Sequence, residues 1–270
     1  MPAFICSACG TQYPPSEASP GECLACTDER QFVPMSGQSW TTLEGLRKAY
    51  SNKFRRLAKG MTTIETNPAF GIGQRAILAH TSSGNVLWDC IALIDDATVD
   101  LLNGMGGVSA IAISHPHYYS TMVEWSHALG GVPIYLHAAD REWVMRTDPA
   151  MQFWEGDTKT IGPNLTLIRL GGHFDGGAVL HWADWSEGRG VVLSGDILQV
   201  VPSGHVSFMW SYPNLIPLSA AKVDRMAKVL EPFAFDAVYG GFSGRNQIDA
   251  NGKQVVAASV ARYIARINEN

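Results

Sequence analysis

The chain is poor in charge: Asp, Glu, Lys and Arg make up 17% of its 270 residues, and 25 acidic against 20 basic residues leave a net charge of -5. A chain short of positive charge has little to offer a phosphate backbone, so nucleic acid is not expected as a partner. Long apolar runs are also missing. Stretches such as residues 108–113 fall far below the ~20 apolar residues that cross a bilayer, and no membrane partner is expected. The N-terminus carries Pro2 and Cys6 where a signal peptide would carry Lys and then Leu, which gives the expectation of a cytoplasmic protein. No low-complexity tract interrupts the sequence. With 46% hydrophobic residues, 27 Gly and 14 Pro, what remains is a folded, turn-rich chain large enough for one ample core and a small appendage.

Cysteine is scarce beyond residue 26, where Cys90 alone remains and reads as an ordinary core thiol. The other four form two CxxC pairs, Cys6 with Cys9 and Cys23 with Cys26, separated by thirteen residues (10–22). Each CxxC turn aims two thiolates at one ion, and two turns complete a tetrahedral four-sulfur shell. Disulfides would be the alternative use, but a cytosolic segment this short needs a staple that survives reducing conditions. The run CSACGTQYP (6–14) resembles the first knuckle of rubredoxin and the zinc ribbons. Thr27 stands where the second rubredoxin knuckle has glycine, and the spacer is short, so the resemblance implies structural zinc rather than an electron-transfer iron.

The organisation expected is a four-cysteine module over residues 1–35, a linking helix over 36–61 and a mixed α/β domain over 62–270. Thr41 and Glu44 make a capping box, and Leu43, Leu46, Tyr50, Phe54 and Leu57 recur at helical spacing. Past residue 62 the pattern changes to short β-like runs broken by glycine. A hairpin spans 74–89 about a Ser83-Gly84-Asn85 turn, and further strands are expected at 108–114, 133–136, 165–170, 179–182, 190–194 and 237–239. Helical segments are expected near 96–104, 120–129, 139–146 and 219–230, which makes the chain α/β.

Polar or glycine-rich elements follow directly on four of these strands: His115 and His117 after AIAIS, His173 after LIRLGG, Asp196 after VVLSG, and Gly240 after DAVY. Such strand ends lie close in space, which is how α/β proteins assemble sites. Three imidazoles with one carboxylate suit zinc, with iron or manganese as alternatives, and not a soft copper centre. His80, His127, His137 and His181 read as surface or satisfied core histidines. His205, in a glycine- and aromatic-rich insertion, reads as part of a lid or of a contact between copies, which leaves a homo-oligomer open.

With these motifs in order, residues 62–270 resemble the metallo-β-lactamase-fold hydrolases. Asp89 in NVLWDC resembles the first-motif aspartate, SHPHYYS the HxHxDH motif, GGHFDGG the third-motif histidine and LSGDIL the fourth-motif aspartate. The resemblance implies an αββα sandwich in which His115, His117, His173 and Asp196 hold the first metal and Asp89 orients them through hydrogen bonds. Tyr119 and Ser120 replace the last two ligands of HxHxDH, and Gly240 follows the strand where the final histidine belongs. That implies one active-site metal in place of two.

The function implied is metal-assisted hydrolysis of an ester, thioester, lactone or amide in a small-molecule substrate. Asp175 is the proton acceptor nearest in sequence, and Tyr119 or Tyr118 the donor to an oxyanion. One alternative is a mononuclear iron oxidoreductase like the persulfide dioxygenases, on His115, His173 and Asp196. Another is a non-catalytic metal-binding interaction protein.

Overall fold

A computed structural model describes residues 1–244 and 247–269. The chain divides into two compact units, residues 1–136 with 141–153, and residues 137–140 with 154–270. The first unit contains the four-cysteine segment. Strand Ala3–Cys6 pairs with Gln12–Pro15 on one side and with Trp40–Thr42 on the other. Ile5 from this small sheet is fully buried with Leu46, Ala92 and Leu93, so the cysteine segment shares a core with the residues that follow Asp89.

The linking helix is much shorter than the sequence pattern suggests. Helix Leu43–Ala49 is capped by Thr42, one residue after the expected cap, whose hydroxyl accepts from Gly45 N–H. Residues Ser51–Ala58 then run as a β-strand against Met61–Asn67, with Phe54 opposite Ile64. The spacing of Phe54 and Leu57 misleads because the pairing slips between Arg56 and Ala58. That bulge puts two residues three apart on related faces of a strand. Lys53 and Arg55, one strand period apart, both reach Glu65 on the neighbouring strand, at 3.2 and 3.6 Å. Two of the strand's basic side chains are thus held in a cross-strand ion-pair cluster.

The large sheet continues through Arg75–Ala79 and Val86–Trp88, the two arms of the expected hairpin, to Ala110–Ala112, Ile134–His137 and Met151–Trp154. Val86–Trp88, Ala110–Ala112 and Ile134–His137 are parallel. The residues after the first two, Asp89 and Ile113 onward, consequently leave the sheet at the same edge. Helix Asp96–Gly104 forms where expected, capped by the Asp95 carboxylate accepting from Thr98 N–H. The segment expected as a helix near 139–146 is a short 3₁₀ stretch, Ala138–Trp143.

The second unit is built on a six-stranded sheet ordered Thr158–Gly162, Leu165–Arg169, Ala178–Trp182, Val191–Gly195, Ala237–Gly240 and Gln247–Ile248. Val191–Gly195 and Ala237–Gly240 are the parallel pair. Helices Ala220–Leu230 and Gly252–Asn268 bury Val223, Met226, Val256 and Val260 in the same core as Ile168, Val179, Val192 and Val238. Among the described residues no helix is long and apolar enough to cross a membrane.

Ile64, fully buried in the core of the first unit, lies opposite Phe54. Ile64→Ala should cost about 2–5 kcal/mol of stability, the usual range for such a truncation, read as a lower urea midpoint at unchanged m-value.

Candidate metal centres

The four N-terminal cysteines converge. Their sulfurs lie within 4.8 Å of one another, with Cys6 Sγ 3.6 Å from Cys26 Sγ and Cys9 Sγ 3.7 Å from Cys23 Sγ. A disulfide would need ~2.05 Å, and all four are free thiols. Four sulfurs at ~2.3 Å from a central zinc stand about 3.8 Å apart along each tetrahedral edge, so the cluster has the dimensions of a filled four-thiolate shell. Hydrogen bonds from the other thiols, Cys26 first, hold the Cys23 thiol far below its ordinary pKa, the direction that favours a thiolate ligand. Gly10, at φ +85°, turns the chain after Cys9. Tyr13 packs its ring edge-on to Trp40 and accepts from Leu24 N–H at 2.7 Å.

The second cluster begins at the edge where strands Val86–Trp88 and Ala110–Ala112 end. Asp89, buried and at φ +63°, accepts from Ser114 N–H at 2.7 Å. This fixes the backbone immediately before His115. The Ser114 hydroxyl is 2.9 Å from His115 Nδ1. Pro116 then opens a single 3₁₀ turn, Pro116–Tyr118, which brings the His117 ring to 5.1 Å from that of His115, with the Tyr118 ring also 5.1 Å from His115. The pair is therefore set by a tight turn and not by the alternation of an extended segment.

In the second unit His173 follows strand Leu165–Arg169, and its Nδ1 lies 2.7 Å from the Trp210 carbonyl. A carbonyl can only accept, so Nδ1 carries the proton and the ring's lone pair is on Nε2. Tyr212 packs its ring against His173 at 5.3 Å and donates its hydroxyl to the Asp196 carbonyl. The turn after His173 is fixed from behind by buried Asp140, which accepts from Gly176 N–H at 2.7 Å. A side chain at Gly176 would collide with that carboxylate at 2.7 Å.

One ligand atom from each of His115, His117, His173 and Asp196 lies within 4.8 Å of the others, and all four residues are buried. Burial pushes the Asp196 carboxyl up to about 7. A desolvated carboxylate among three imidazoles gains most from a cation, and three nitrogens with one oxygen is a donor set that zinc, iron or manganese accepts. The residues present thus fit one ion. Among the described residues this group and the cysteine cluster are the two found with such geometry.

The remaining candidates lie elsewhere. Asp175 is exposed, its peptide carbonyl taken by Arg169 Nε at 2.7 Å. It lines a surface depression with Arg169, Lys222 and Arg225. The turn that carries it is closed by Gly177 N–H to Phe174 O. Tyr119 is buried in the first core, and it is Tyr118 that packs on His115. The hydroxyl of Ser120 binds the Gly10 carbonyl at 3.2 Å, and Gly240 lies inside a buried strand. His80, His127, His137 and His181 bond locally to Thr62, Asp148, Gly156 and Ala234 respectively, and His205 lies near Ser203. Sequence reading misses Asp140, Trp210 and Tyr212, whose roles arise from contacts distant in sequence.

The chain is 46% identical to YmaE of Bacillus subtilis strain 168 over 271 residues, covering 99% of this chain and 98% of that protein. It belongs to the YmaE family. No protein-family model matches it. Among solved structures it resembles the metallo-β-lactamase FIM-1 of Pseudomonas aeruginosa in its mono-zinc form, with a TM-score of 0.55 and 13% identity over 78% of this chain and 95% of that one. The metallo-β-lactamase of Erythrobacter litoralis matches with a TM-score of 0.56 and 15% identity over 80% of this chain and 96% of that one. The fold is that of the metallo-β-lactamases, carrying a four-cysteine cluster near its N-terminus.

Elemental analysis of the full chain, purified under reducing conditions, should find one metal equivalent that Cys9→Ser removes, with a fall in thermal stability. A Cys6–Cys9 disulfide in such protein would overturn the assignment of the cluster.

Proposed function

We propose that the chain is a mononuclear zinc-dependent hydrolase acting on an ester, thioester, lactone or amide bond of a small molecule. The observation that carries this reading is the convergence of three buried imidazoles and one buried carboxylate within 4.8 Å. An ion bound there would act as a Lewis acid and lower the pKa of a coordinated water toward neutrality. His115, His117, His173 and Asp196 would hold it. Asp89 keeps the first pair in place through Ser114 N–H, and the Trp210 carbonyl holds His173 in the tautomer whose Nε2 can bind.

A single ion is favoured by what stands at the neighbouring positions. Tyr119 belongs to the apolar core, Ser120 is committed to Gly10, and Gly240 has no side chain. FIM-1, of the same fold, was solved in a mono-zinc form. The inclusion of His117 in the group supports a three-histidine zinc site over an iron centre built on two histidines and one carboxylate.

The test is metal analysis combined with hydrolysis of a panel of thioesters, lactones, aryl esters and β-lactams. Wild type should hold two equivalents per chain and turn over at least one class. His173→Ala should lose one equivalent and reduce turnover to the uncatalysed background. A His173→Ala protein that keeps both equivalents and the wild-type rate would overturn the proposal.

A further inference from the structure

The first cysteine knuckle is bonded directly to the turn that carries His115 and His117. Gln12 donates its peptide N–H to the Ser120 carbonyl at 3.2 Å, and the Ser120 hydroxyl donates to the Gly10 carbonyl at 3.2 Å. Thr11, between them, donates its N–H to Cys9 Sγ at 3.5 Å, and its hydroxyl oxygen lies 3.2 Å from the same sulfur. Cys9, Gly10, Thr11, Gln12 and Ser120 are all buried. A Cβ placed on Gly10 would stand 3.1 Å from the Ser120 hydroxyl, so the two backbones meet at a distance that suits glycine.

Ser120 has φ +42°, a left-handed conformation that a non-glycine residue keeps only where its surroundings over-determine it. Those surroundings are identifiable. The knuckle grips it through the two bonds above. On the next residue the Thr121 hydroxyl donates to the Ala92 carbonyl at 2.9 Å. Helix Met122–Ala128, which begins two residues on, is tied to the knuckle through its Glu124, whose carboxylate accepts from Gln12 Nε2 at 3.1 Å, while Arg146 donates to Gln12 Oε1 at 2.6 Å.

Between His115 and Ser120 the chain makes one 3₁₀ turn, closed by Tyr118 N–H to His115 O and Tyr119 N–H to Pro116 O. A single hydrogen-bonded turn started by proline has little freedom to absorb a displacement of one end. Movement of Ser120 is therefore passed to His117.

We infer that the four-cysteine module is a positioning element for the histidine site, and that Ser120 is the positioning residue through which it acts. The inference rests on the reading of His115 and His117 as metal ligands. It adds that occupancy and order of the cysteine cluster set the affinity of the histidine site for its ion. Outer partners that orient metal ligands typically contribute roughly 10- to 100-fold in affinity.

The experiment uses the full chain, stripped of metal and reconstituted with cobalt(II). Thiolate ligation gives intense charge-transfer absorption that imidazole and carboxylate ligation lack, so the two sites titrate separately. Ser120→Ala removes the hydroxyl and keeps the strained backbone, whereas Ser120→Gly removes the hydroxyl and accommodates the positive φ without steric strain. Both should keep the thiolate band. Both should weaken cobalt at the non-thiolate site by roughly tenfold or more and shift its ligand-field bands, with the thermal midpoint of Ser120→Gly at or above that of Ser120→Ala. Non-thiolate affinity and bands unchanged in both variants, against a wild type that binds at both sites, overturn this inference alone. A wild type that takes up only thiolate-bound cobalt overturns the histidine site itself and this inference with it.

Discussion

The hydrogen bond from Ser114 N–H to the Asp89 carboxylate is the interaction on which the histidine turn depends. At 2.7 Å and buried, it is a charge-assisted bond in a medium that screens weakly. It joins the ends of two adjacent parallel strands, Val86–Trp88 and Ala110–Ala112. The Asp89 N–H donates in turn to Ala112 O at 2.9 Å, so the two strand ends are bonded in both directions. This backbone position then dictates the rest: His115 follows one residue later, Pro116 starts the 3₁₀ turn, and His117 follows inside it. A left-handed aspartate at φ +63° is an unfavourable conformation, held here by its bonds to Ser114 and Ala112 on the neighbouring strand end.

How much of this could be read in the sequence follows from the range of the interactions involved. The strand-end residues were legible because each follows an apolar run on its own chain segment. The hairpin about Ser83–Asn85 and the helix Asp96–Gly104 were legible because turn residues and an N-cap aspartate act within a few positions. The strand Ser51–Ala58 was not, since a bulge between Arg56 and Ala58 imitates helical spacing, and the true cue lies in Glu65 across the ladder. Asp175 stands two residues after His173, yet it is exposed where His173 is buried, and it lines a surface depression with the basic residues 169, 222 and 225.

The three histidines are fixed by different means, and the differences bear on which substitutions each tolerates. His115 is beside a hydroxyl, from Ser114, which can donate or accept and so leaves the ring's tautomer open. His117 is set by the geometry of its 3₁₀ turn. His173 is held by a main-chain carbonyl, that of Trp210, which admits one tautomer alone and is unaffected by the identity of the side chain that supplies it.

That last contact gives the insertion after Asp196 a structural purpose. Its two short hairpins, Gln199–Val200 with Val206–Ser207 and Met209–Ser211 with Ile216–Pro217, have too few residues to be stable alone. They are anchored instead to the second unit's core: Val206 N–H donates to the Ser259 hydroxyl at 2.9 Å, and the Tyr263 hydroxyl donates to the carbonyls of Phe208 and Leu218 at 2.7 and 3.0 Å. Both anchors come from the C-terminal helix Gly252–Asn268. Orientation of His173 therefore depends, through Trp210 and the Phe208 carbonyl, on a helix nearly ninety residues later in the chain. The helix shows little signal of that role in its own sequence, because the groups it contributes are one serine and one tyrosine hydroxyl aimed at backbone.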